Sequence, residues 1–301
     1  MSTTRIVVAG ASGLIGSALV ATLQQQGHAV VRLVRRPAQG THEISWDPVG
    51  GTLDPGALDG VGAVVNLSGA GIGDHRWTDA YKRELVQSRL AATGLLARTI
   101  AGSSTRPPVF LSGSAIGAYG ARGDEELTEA SALGTDFLAD LCRQWEAATA
   151  PAAEAGVRVA HLRTGIVLSA AGGALKKQLP LFKLGLGGRF GSGRQWQSWI
   201  SIDDEVAAIA HLLDADVEGP VNLTAPAPVT NREFTRRLAD VLHRPAVLPI
   251  PSFGPKLLLG GELADALLFT GQRVLPAKLE ASGYRFRHAS LDAALRAVLG
   301  R

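Results

Sequence analysis

The segment VFLSGSAIGAYG, residues 109–120, places three hydroxyl groups at and just after the end of an apolar run. Ser112 and Ser114 are separated by one glycine, and Tyr119 adds a phenol five residues after Ser114. Positioned hydroxyl and phenol groups can polarise a substrate and transfer protons in general acid–base catalysis. The same small residues can also form the wall of a cofactor pocket, so from this segment alone both interpretations stay open.

The loop GASGLIG follows the apolar run RIVVAG and opens a helical pattern. Between a strand and a helix, the first glycine of such a loop permits a tight turn. The second lets backbone approach a pyrophosphate, and the third lets the helix pack close to the strand. The helix N-terminus then favours an anion. A glycine-rich turn without a ligand is the weaker alternative. The loop predicts dinucleotide contacts from Gly10, Ser12, Gly13, Leu14, Ile15 and Gly16.

The end of the second predicted strand, VRLVRRP, bears on the choice of nucleotide. NAD-binding sheets usually carry an acidic residue here that accepts a hydrogen bond from the ribose 2′-hydroxyl. This strand instead ends in Val34, Arg35 and Arg36. Arginine can bind a 2′-phosphate with charged, paired hydrogen bonds. The segment therefore predicts NADP(H) rather than NAD(H), with a solvated strand end as the alternative.

Small residues also end a later apolar run, VVNLSGAG, where the adenosine ribose should pass. Leu67, Ser68 and Gly69 are the candidates for lining that passage. In the following helical pattern Glu84 and Ser88 are four residues apart and so share one face, with Arg89 beside them. For each of these polar residues, an ordinary position on the helix surface is the alternative.

The elements that must position these residues alternate between strand-like and helical patterns through the first two-thirds of the chain. This alternation predicts βαβ units and an α/β fold with a Rossmann-type, doubly wound parallel sheet. Helices are predicted near residues 78–101, 136–155 and 204–214. After residue 165 the sequence becomes Gly-rich and basic. We therefore predict an NADP-binding domain over residues 1–165 and 199–228, and a small C-terminal substrate lobe over 166–198 and 229–301.

Composition limits the possible partners. Apolar residues make up 46% of the chain, charged residues make up 19%, and the net charge is +3 without a basic run, so no nucleic-acid partner is expected. No apolar stretch approaches 18 residues, and no membrane partner is expected. The lone Cys142 sits at helical spacing with two leucines, which predicts a buried side chain. Scattered histidines predict no metal site. Without a signal-peptide pattern, a cytoplasmic location is the default expectation.

Taken together, these segments resemble the extended short-chain dehydrogenase/reductase superfamily, which includes sugar-nucleotide epimerases. The resemblance runs nearly end to end. More narrowly, the chain is similar to an atypical subfamily labelled NAD-dependent epimerase family protein, which has a characteristic C-terminal extension. The motifs that carry this similarity are SWDP, NLSGAGIGDHRWT, LVQSRLAATGLL, LCRQWEAA, LPLFKLGLGGRFGSGRQWQSWI and GQRVLPAKLEASGYRF. The resemblance implies NADP(H) contacts at Arg35, Leu67, Ser68, Glu84, Arg89 and Val167.

The sequence departs from the superfamily at its catalytic pair. These enzymes use a tyrosine as the acid/base and, four residues later, a lysine that lowers the tyrosine pKa. Here the corresponding helix carries Phe137 and Leu138 near the place of the tyrosine, and Leu141 and Cys142 near the place of the lysine.

By elimination, Ser114 and Tyr119 become the catalytic candidates. Ser114 is the counterpart of the superfamily's substrate-polarising serine, and packing is the alternative role for Tyr119. Ser112 and Gly113 are expected to form pocket wall beside the nicotinamide, with Ser112 as a cofactor contact.

Two functions remain open from the sequence. The first is an NADP(H)-dependent oxidoreductase or isomerase acting on a small anionic substrate between the two lobes. Arg189 and Arg194 are candidates for binding the anion, and Trp196 or Trp199 for a flat group. A basic loop with core tryptophans is the alternative for these four residues. The second function is a non-catalytic NADP(H)-sensing protein. Asp203 and Asp204 are interpreted as a helix N-cap.

Overall fold

The computed structural model describes residues 4–301, and its centre is a parallel sheet covered by helices on both faces. The strands are β1 (Arg5–Ala9), β2 (Ala29–Val34), β3 (Glu43–Ser45), β4 (Ala63–Asn66), β5 (Val109–Ala115), β6 (Glu126–Leu127), β7 (Arg158–Thr164), β8 (Ile166–Leu168), β9 (Trp196–Gln197), β10 (Trp199–Ser201), β11 (Gly219–Leu223), β12 (Val229–Thr230) and β13 (Arg273–Val274). Seven of them form the sheet, in the order β11-β7-β5-β4-β1-β2-β3. The direction of winding reverses between β1 and β4. In open α/β sheets this switch point forms the ligand crevice.

Two of the helices fall close to the segments predicted at 78–101 and 204–214. The helices are α1 (Leu14–Gln25), α2 (Asp79–Gly102), α3 (Phe137–Ala147), α4 (Ala150–Glu154), α5 (Gly173–Lys183), α6 (Ile202–Asp214), α7 (Asn231–Leu242), α8 (Phe253–Leu259), α9 (Gly261–Ala264), α10 (Ala277–Ala281) and α11 (Leu291–Leu299). A 3₁₀ turn over Ile116–Tyr119 follows β5, and a π-helical turn covers Asp265–Phe269. The predicted segment 136–155 is therefore two helices, α3 and α4.

Alternate residues of each central strand pack on opposite faces of the sheet. In β1, Ile6 and Val8 belong to the cluster formed with α1 and α6, whereas Val7 packs on the other face with α2 and α4. Phe110 of β5 joins Val7, and Leu111 joins Ile6. Because both faces are buried, these strands are continuously apolar, as is usual for parallel sheets.

The C-terminal lobe has its own core, which includes Leu175, Phe182, Trp199, Phe234 and Leu295. Outside the central sheet, six short strands form three pairs, β10 with β8, β12 with β9 and β13 with β6. Every strand of the central sheet falls within the two ranges predicted for the nucleotide-binding domain. The domain boundaries themselves stay a prediction, and residues 1–3 of the first range lie outside the described residues.

Asp204 joins the lobe to α6, which differs from the capping role predicted for Asp203 and Asp204. The N-cap of α6 is Ser201, whose hydroxyl accepts the Asp204 N–H at 3.0 Å. The buried Asp204 carboxylate accepts hydrogen bonds from the Tyr284 hydroxyl at 3.0 Å and from the Arg287 N–H at 2.7 Å. The interpretation as an N-cap was wrong because Ser201 begins the helix two residues earlier.

Candidate functional site

The glycine loop lies against the exit of β4, at the switch point of the sheet. Gly10 has a φ of +77°, and a Cβ there would lie 2.6 Å from the carbonyl carbon of Leu67. A Cβ on Gly16 would lie 2.1 Å from the carbonyl oxygen of Gly10. The turn and the close approach of helix to strand both require glycine at these positions. The sequence predicted the same two requirements, a tight turn at Gly10 and close helix–strand packing at Gly16.

The N-terminus of α1 has the features of an anion site. Its N-cap is Gly13, which has no side chain to cap the helix, and the first turn holds no acidic residue. Ser12 and Gly13 are exposed, and Leu14 and Ile15 are half-buried. The first N–H groups of a helix have no partner within the helix, so an uncapped terminus is available to a phosphate. The loop therefore fits the phosphates of a dinucleotide.

Gly16→Ala should lower the free energy of unfolding by about 1–3 kcal/mol, because the added methyl overlaps backbone that cannot yield without moving the loop. The affinity for NADPH should fall with it. Urea unfolding and a binding titration measure the two effects. The matched control is Gly102→Ala at the end of α2, where a Cβ meets nothing within 4 Å. That variant should be unchanged or slightly more stable. Equal effects of the two changes would contradict the prediction.

The two arginines after β2 have different surroundings. Arg36 donates to both carboxylate oxygens of Glu43, at 2.7 and 2.8 Å, and Arg32 donates to the same carboxylate at 2.9 Å. The hydrogen bonds from Arg36 and from the Gln39 N–H lower the pKa of Glu43 to about 2. Arg35 is exposed and has no ion pair among residues 4–301. Of the predicted pair, Arg35 alone offers an uncommitted guanidinium, whereas Arg36 neutralises Glu43.

The residues after β4 form a short ordered passage. The Leu67 N–H donates to the Ala9 carbonyl at 3.0 Å. The Ser68 N–H donates to Asn66 Oδ1 at 3.1 Å, which fixes the backbone leaving the strand. Gly69 lies close to Arg89, because a Cβ on Gly69 would be 3.2 Å from Arg89 Cζ. This passage brings the predicted residues 67–69 together with Arg89. Glu84 is exposed on α2.

Arg89 is buried, with 9% of its surface exposed, and has no carboxylate partner in the described chain. Its guanidinium lies 4.9 Å from the centre of the Trp145 ring and donates one hydrogen bond, to the Leu85 carbonyl at 3.0 Å. Burial lowers the pKa of Arg89. A buried cation without a counter-ion is costly in a folded protein unless a ligand compensates it. The position beside the β4 exit makes Arg89 a fitting nucleotide contact.

At the end of β5 the Ser114 hydroxyl is engaged by a buried ion pair that the sequence did not reveal. Ser114 Oγ donates to Glu146 Oε1 at 2.7 Å. Arg163 donates to both oxygens of that carboxylate, at 2.8 and 2.9 Å. Burial opposes ionisation of Glu146, but the hydrogen bonds and charge of Arg163 outweigh it and lower the Glu146 pKa. Ser114 is thus a hydrogen-bond donor to a stable carboxylate.

Tyr119 is placed in the packing role that the sequence left as its alternative. The side chain is fully buried. Its hydroxyl donates to Asn222 Oδ1 at 2.6 Å and accepts from Arg163 Nη1 at 3.0 Å. Burial raises the pKa of the phenol. The phenol has two protein partners and no exposed surface, which favours the packing role. The catalytic role of Tyr119 stays a prediction.

The face of α3 that lies against β5 carries no acid/base pair of the superfamily type. Leu138 and Cys142 occupy successive turns, and Cys142 Sγ lies 3.6 Å from the Ala115 carbonyl oxygen. The thiol is buried, as predicted, and burial raises its pKa to about 11. Ser112 is also fully buried, and a Cβ on Gly113 would lie 2.8 Å from Trp145. Both residues are therefore covered by protein in this structure, and their predicted place beside the nicotinamide stays a prediction.

The aromatic and basic residues proposed for a substrate divide between core and surface. Trp199 is fully buried and donates to the Ala227 carbonyl at 3.0 Å, so it is a core residue. Trp196 donates to Asp124 Oδ1 at 2.7 Å. Arg189 is half-buried and Arg194 is exposed. Val167 is half-buried on β8. Substrate binding by this loop stays a prediction.

Among residues 4–301, no group of three or more His, Cys, Asp or Glu side chains is arranged to hold a metal ion. No helix in the described part of the chain is both long and apolar enough to cross a membrane.

Comparison with known proteins matches two family models. Residues 6–224 match the NAD dependent epimerase/dehydratase family, and residues 250–298 match a domain of unknown function, DUF1731. An epimerase family protein of Mycobacterium bovis is 45% identical over 296 residues, covering 98% of this chain and 97% of that protein. The crystal structure of human epimerase family protein SDR39U1 with NADPH has a TM-score of 0.91 and 34% identity, covering 98% and 99% of the two chains. UDP-glucose 4-epimerase of Thermotoga maritima shares the fold, with a TM-score of 0.78 at 16% identity and 98% and 97% coverage.

Proposed function

The chain belongs to the NAD dependent epimerase/dehydratase family, and from that membership we propose that it is an NADP(H)-binding oxidoreductase or isomerase acting on a small anionic substrate. The observation that carries the cofactor preference is the pair of arginines after β2. Arg36 neutralises Glu43, and Arg35 remains free beside it. A 2′-phosphate therefore meets a cation and no uncompensated carboxylate. The NADPH in the crystal structure of the human relative supports the same preference.

Each part of the dinucleotide has fitting residues on this chain. The glycine loop and the N-terminus of α1 would hold the pyrophosphate, and Arg35 would hold the 2′-phosphate. Residues 67–69 with Glu84 and Arg89 would contact the adenosine side, and Val167 would contact the nicotinamide side. When bound, NADP(H) supplies the hydride donor or acceptor.

The side chains at the end of β5 determine which substrate groups the protein could bind beside the cofactor. The single Ser114 proton is committed to Glu146, so the remaining lone pairs of Ser114 Oγ can accept a hydrogen bond. Ser114 is thus suited to a substrate group that donates, such as a hydroxyl. Arg163 holds Glu146 ionised and keeps this orientation fixed.

A second candidate is a non-catalytic protein in which bound NADP(H) sets a conformation that a partner recognises. Two observations favour this candidate. Tyr119 is fully buried, and no tyrosine–lysine pair faces β5 in the described chain. The two candidates differ in turnover. An enzyme should either interconvert NADP⁺ and NADPH with some member of a panel of anionic alcohols and ketones, or change the configuration of that member without net change in the cofactor. Tight NADPH binding without turnover over that panel would favour the sensor.

Arg35→Ala should weaken NADPH binding by about 10- to 100-fold, since a charged hydrogen bond contributes roughly 1.5–3 kcal/mol. NADH binding should change by less than about twofold, because NADH lacks the 2′-phosphate that Arg35 would bind. Isothermal titration with both nucleotides measures the difference. Arg106→Ala is the control. Arg106 precedes β5 and so lies at the amino ends of the parallel strands, whereas Arg35 follows the carboxyl end of β2. Equal losses for the two nucleotides would remove the basis for the NADP(H) preference.

A further inference from the structure

The exposed apolar side chains of this protein are concentrated on the C-terminal lobe. In the described chain ten large hydrophobic residues are exposed, and nine of them lie between residues 181 and 267. The tenth, Val49, belongs to the turn after β3. Scattered exposed hydrophobic residues are normal on soluble domains, whereas a concentration of them marks an interaction surface. The distribution on the lobe is therefore the one typical of an interaction surface.

Four of these residues come together because two segments of the lobe run side by side. Arg244 Nε donates to the Lys183 carbonyl at 2.9 Å, and the Ile250 N–H donates to the Arg189 carbonyl at 2.8 Å. Between these two connections lie Leu184, Leu186, Val247 and Leu248, which we call the leucine–valine surface. Their exposed fractions run from 62% for Leu186 to 78% for Val247.

The two chain segments that form the leucine–valine surface carry no negative charge. Residues 155–202 contain no Asp or Glu, and neither do residues 241–261. Lys183 and Arg244 flank the surface, and neither has a carboxylate partner among residues 4–301. The Arg244 guanidinium donates only to main-chain carbonyls. An occupant of this surface must therefore offer both apolar contact and negative charge.

The shape of the leucine–valine surface distinguishes between two occupants, an acidic helix and an anionic lipid bilayer. Side chains more than 60% exposed protrude from the protein, and they do not line a groove that could hold an acidic helix. Protruding leucines with basic neighbours suit the boundary between lipid headgroups and acyl chains. Helix α8 follows directly and exposes Phe253, Leu257 and Leu258.

We propose that the leucine–valine surface, with Lys183 and Arg244, binds the protein peripherally to anionic lipid bilayers. The sequence led us to expect no membrane partner because it holds no spanning segment. The proposal departs from that expectation, because it depends on a surface formed by residues 61 to 64 positions apart in the chain. This proposal does not depend on the proposed nucleotide chemistry.

Sedimentation with lipid vesicles tests the proposal on the full chain. Binding to vesicles of equal parts phosphatidylcholine and phosphatidylglycerol should exceed binding to pure phosphatidylcholine by about tenfold or more. Raising the salt from about 0.1 to about 1 M should remove most of that difference, because the Debye length falls from about 10 to about 3 Å. The double variant Leu184→Glu/Leu248→Glu should lose about tenfold or more of the binding to anionic vesicles.

Val49→Glu is the control for an added carboxylate, since it places one of the two added negative charges on the exposed large hydrophobic residue outside the lobe, and it should bind as the wild type does. Thermal unfolding should be unchanged in both variants, because all three side chains are exposed. Equal binding to both vesicle types, or no binding to either, would overturn the proposal. A dimer in solution that Leu184→Glu/Leu248→Glu dissociates would also overturn it, by making this surface an interface between two copies.

Discussion

Replacing Glu205 with glutamine should raise the free energy of unfolding by about 3 kcal/mol at pH 7. Glu205 lies in the first turn of α6 and is fully buried. One carboxyl oxygen accepts a hydrogen bond from Thr164 Oγ1 at 2.8 Å, and the other has no partner. Helix α1, which packs against α6, contains no ionisable residue. Burial therefore raises the pKa of Glu205 to about 8.

The direction of the effect follows from proton binding. The unfolded chain ionises this carboxyl near pH 4.3, whereas the folded chain keeps it protonated to about pH 8. The contribution of Glu205 to stability is therefore complete below the unfolded pKa and is lost as the pH rises toward 8. The loss is about 1.4 kcal/mol for each pH unit in that window. Glutamine has nearly the same shape and does not ionise, so it avoids the loss.

Urea unfolding of the wild type and of Glu205→Gln between pH 5 and pH 9 measures this linkage. The stability difference should be small near pH 5, grow to about pH 8 and then level off. Glu84→Gln serves as the control, because Glu84 is exposed on α2 and should show no such trend. A difference of constant size across the range would contradict the assignment of an elevated pKa to Glu205.

The parts of the site that the sequence predicts are those set by local geometry. Gly10 has a positive φ in a tight turn and Gly16 packs on the Gly10 carbonyl, so both glycines are required by contacts within one short segment. Arg35 follows β2 directly, and its exposure depends on nothing distant. The same holds for the alternation of strands and helices, whose periodicity is a property of short segments.

The role of Arg36 could not be predicted because it depends on strand pairing. Glu43 lies seven residues later, on β3, and Arg32 of β2 stands beside it in the sheet. Only that register shows that Arg36 neutralises a carboxylate. Without the register, Arg35 and Arg36 are equivalent neighbours in the sequence.

Tyr119 and Ser114 show the same limit over longer distances. The phenol of Tyr119 is engaged by Asn222, which lies 103 residues away on β11. Ser114 Oγ donates a hydrogen bond to the Glu146 carboxylate of α3, and Arg163 of β7 donates to the same carboxylate. One local signal was present: Leu138, Cys142 and Glu146 are four residues apart and so occupy one helix face. When that face of α3 packs against β5, the Glu146 carboxylate must lie beside Ser114.

Arg163→Met should lower the free energy of unfolding by about 3–5 kcal/mol at pH 7, because removal of one partner leaves the Glu146 carboxylate buried without compensation. The Arg163 side chain is 4% exposed and that of Glu146 is 12% exposed. The variant also removes a donor from the Tyr119 hydroxyl. The loss should shrink as the pH falls. In the wild type, the Glu146 pKa is lowered, so the pair stabilises the fold above the unfolded pKa and less below it.

The double variant Arg163→Met/Glu146→Leu separates the ion pair from simple packing. Replacing both charges with apolar groups of similar size should recover most of the loss, since a buried pair and an apolar pair often differ little. Arg143→Met is the matched control, because Arg143 forms an exposed ion pair with Asp140 on α3, the helix that also carries Glu146. That change should cost about 1 kcal/mol or less. If the double variant were as unstable as Arg163→Met, the loss would reflect packing around Tyr119 rather than an uncompensated charge on Glu146.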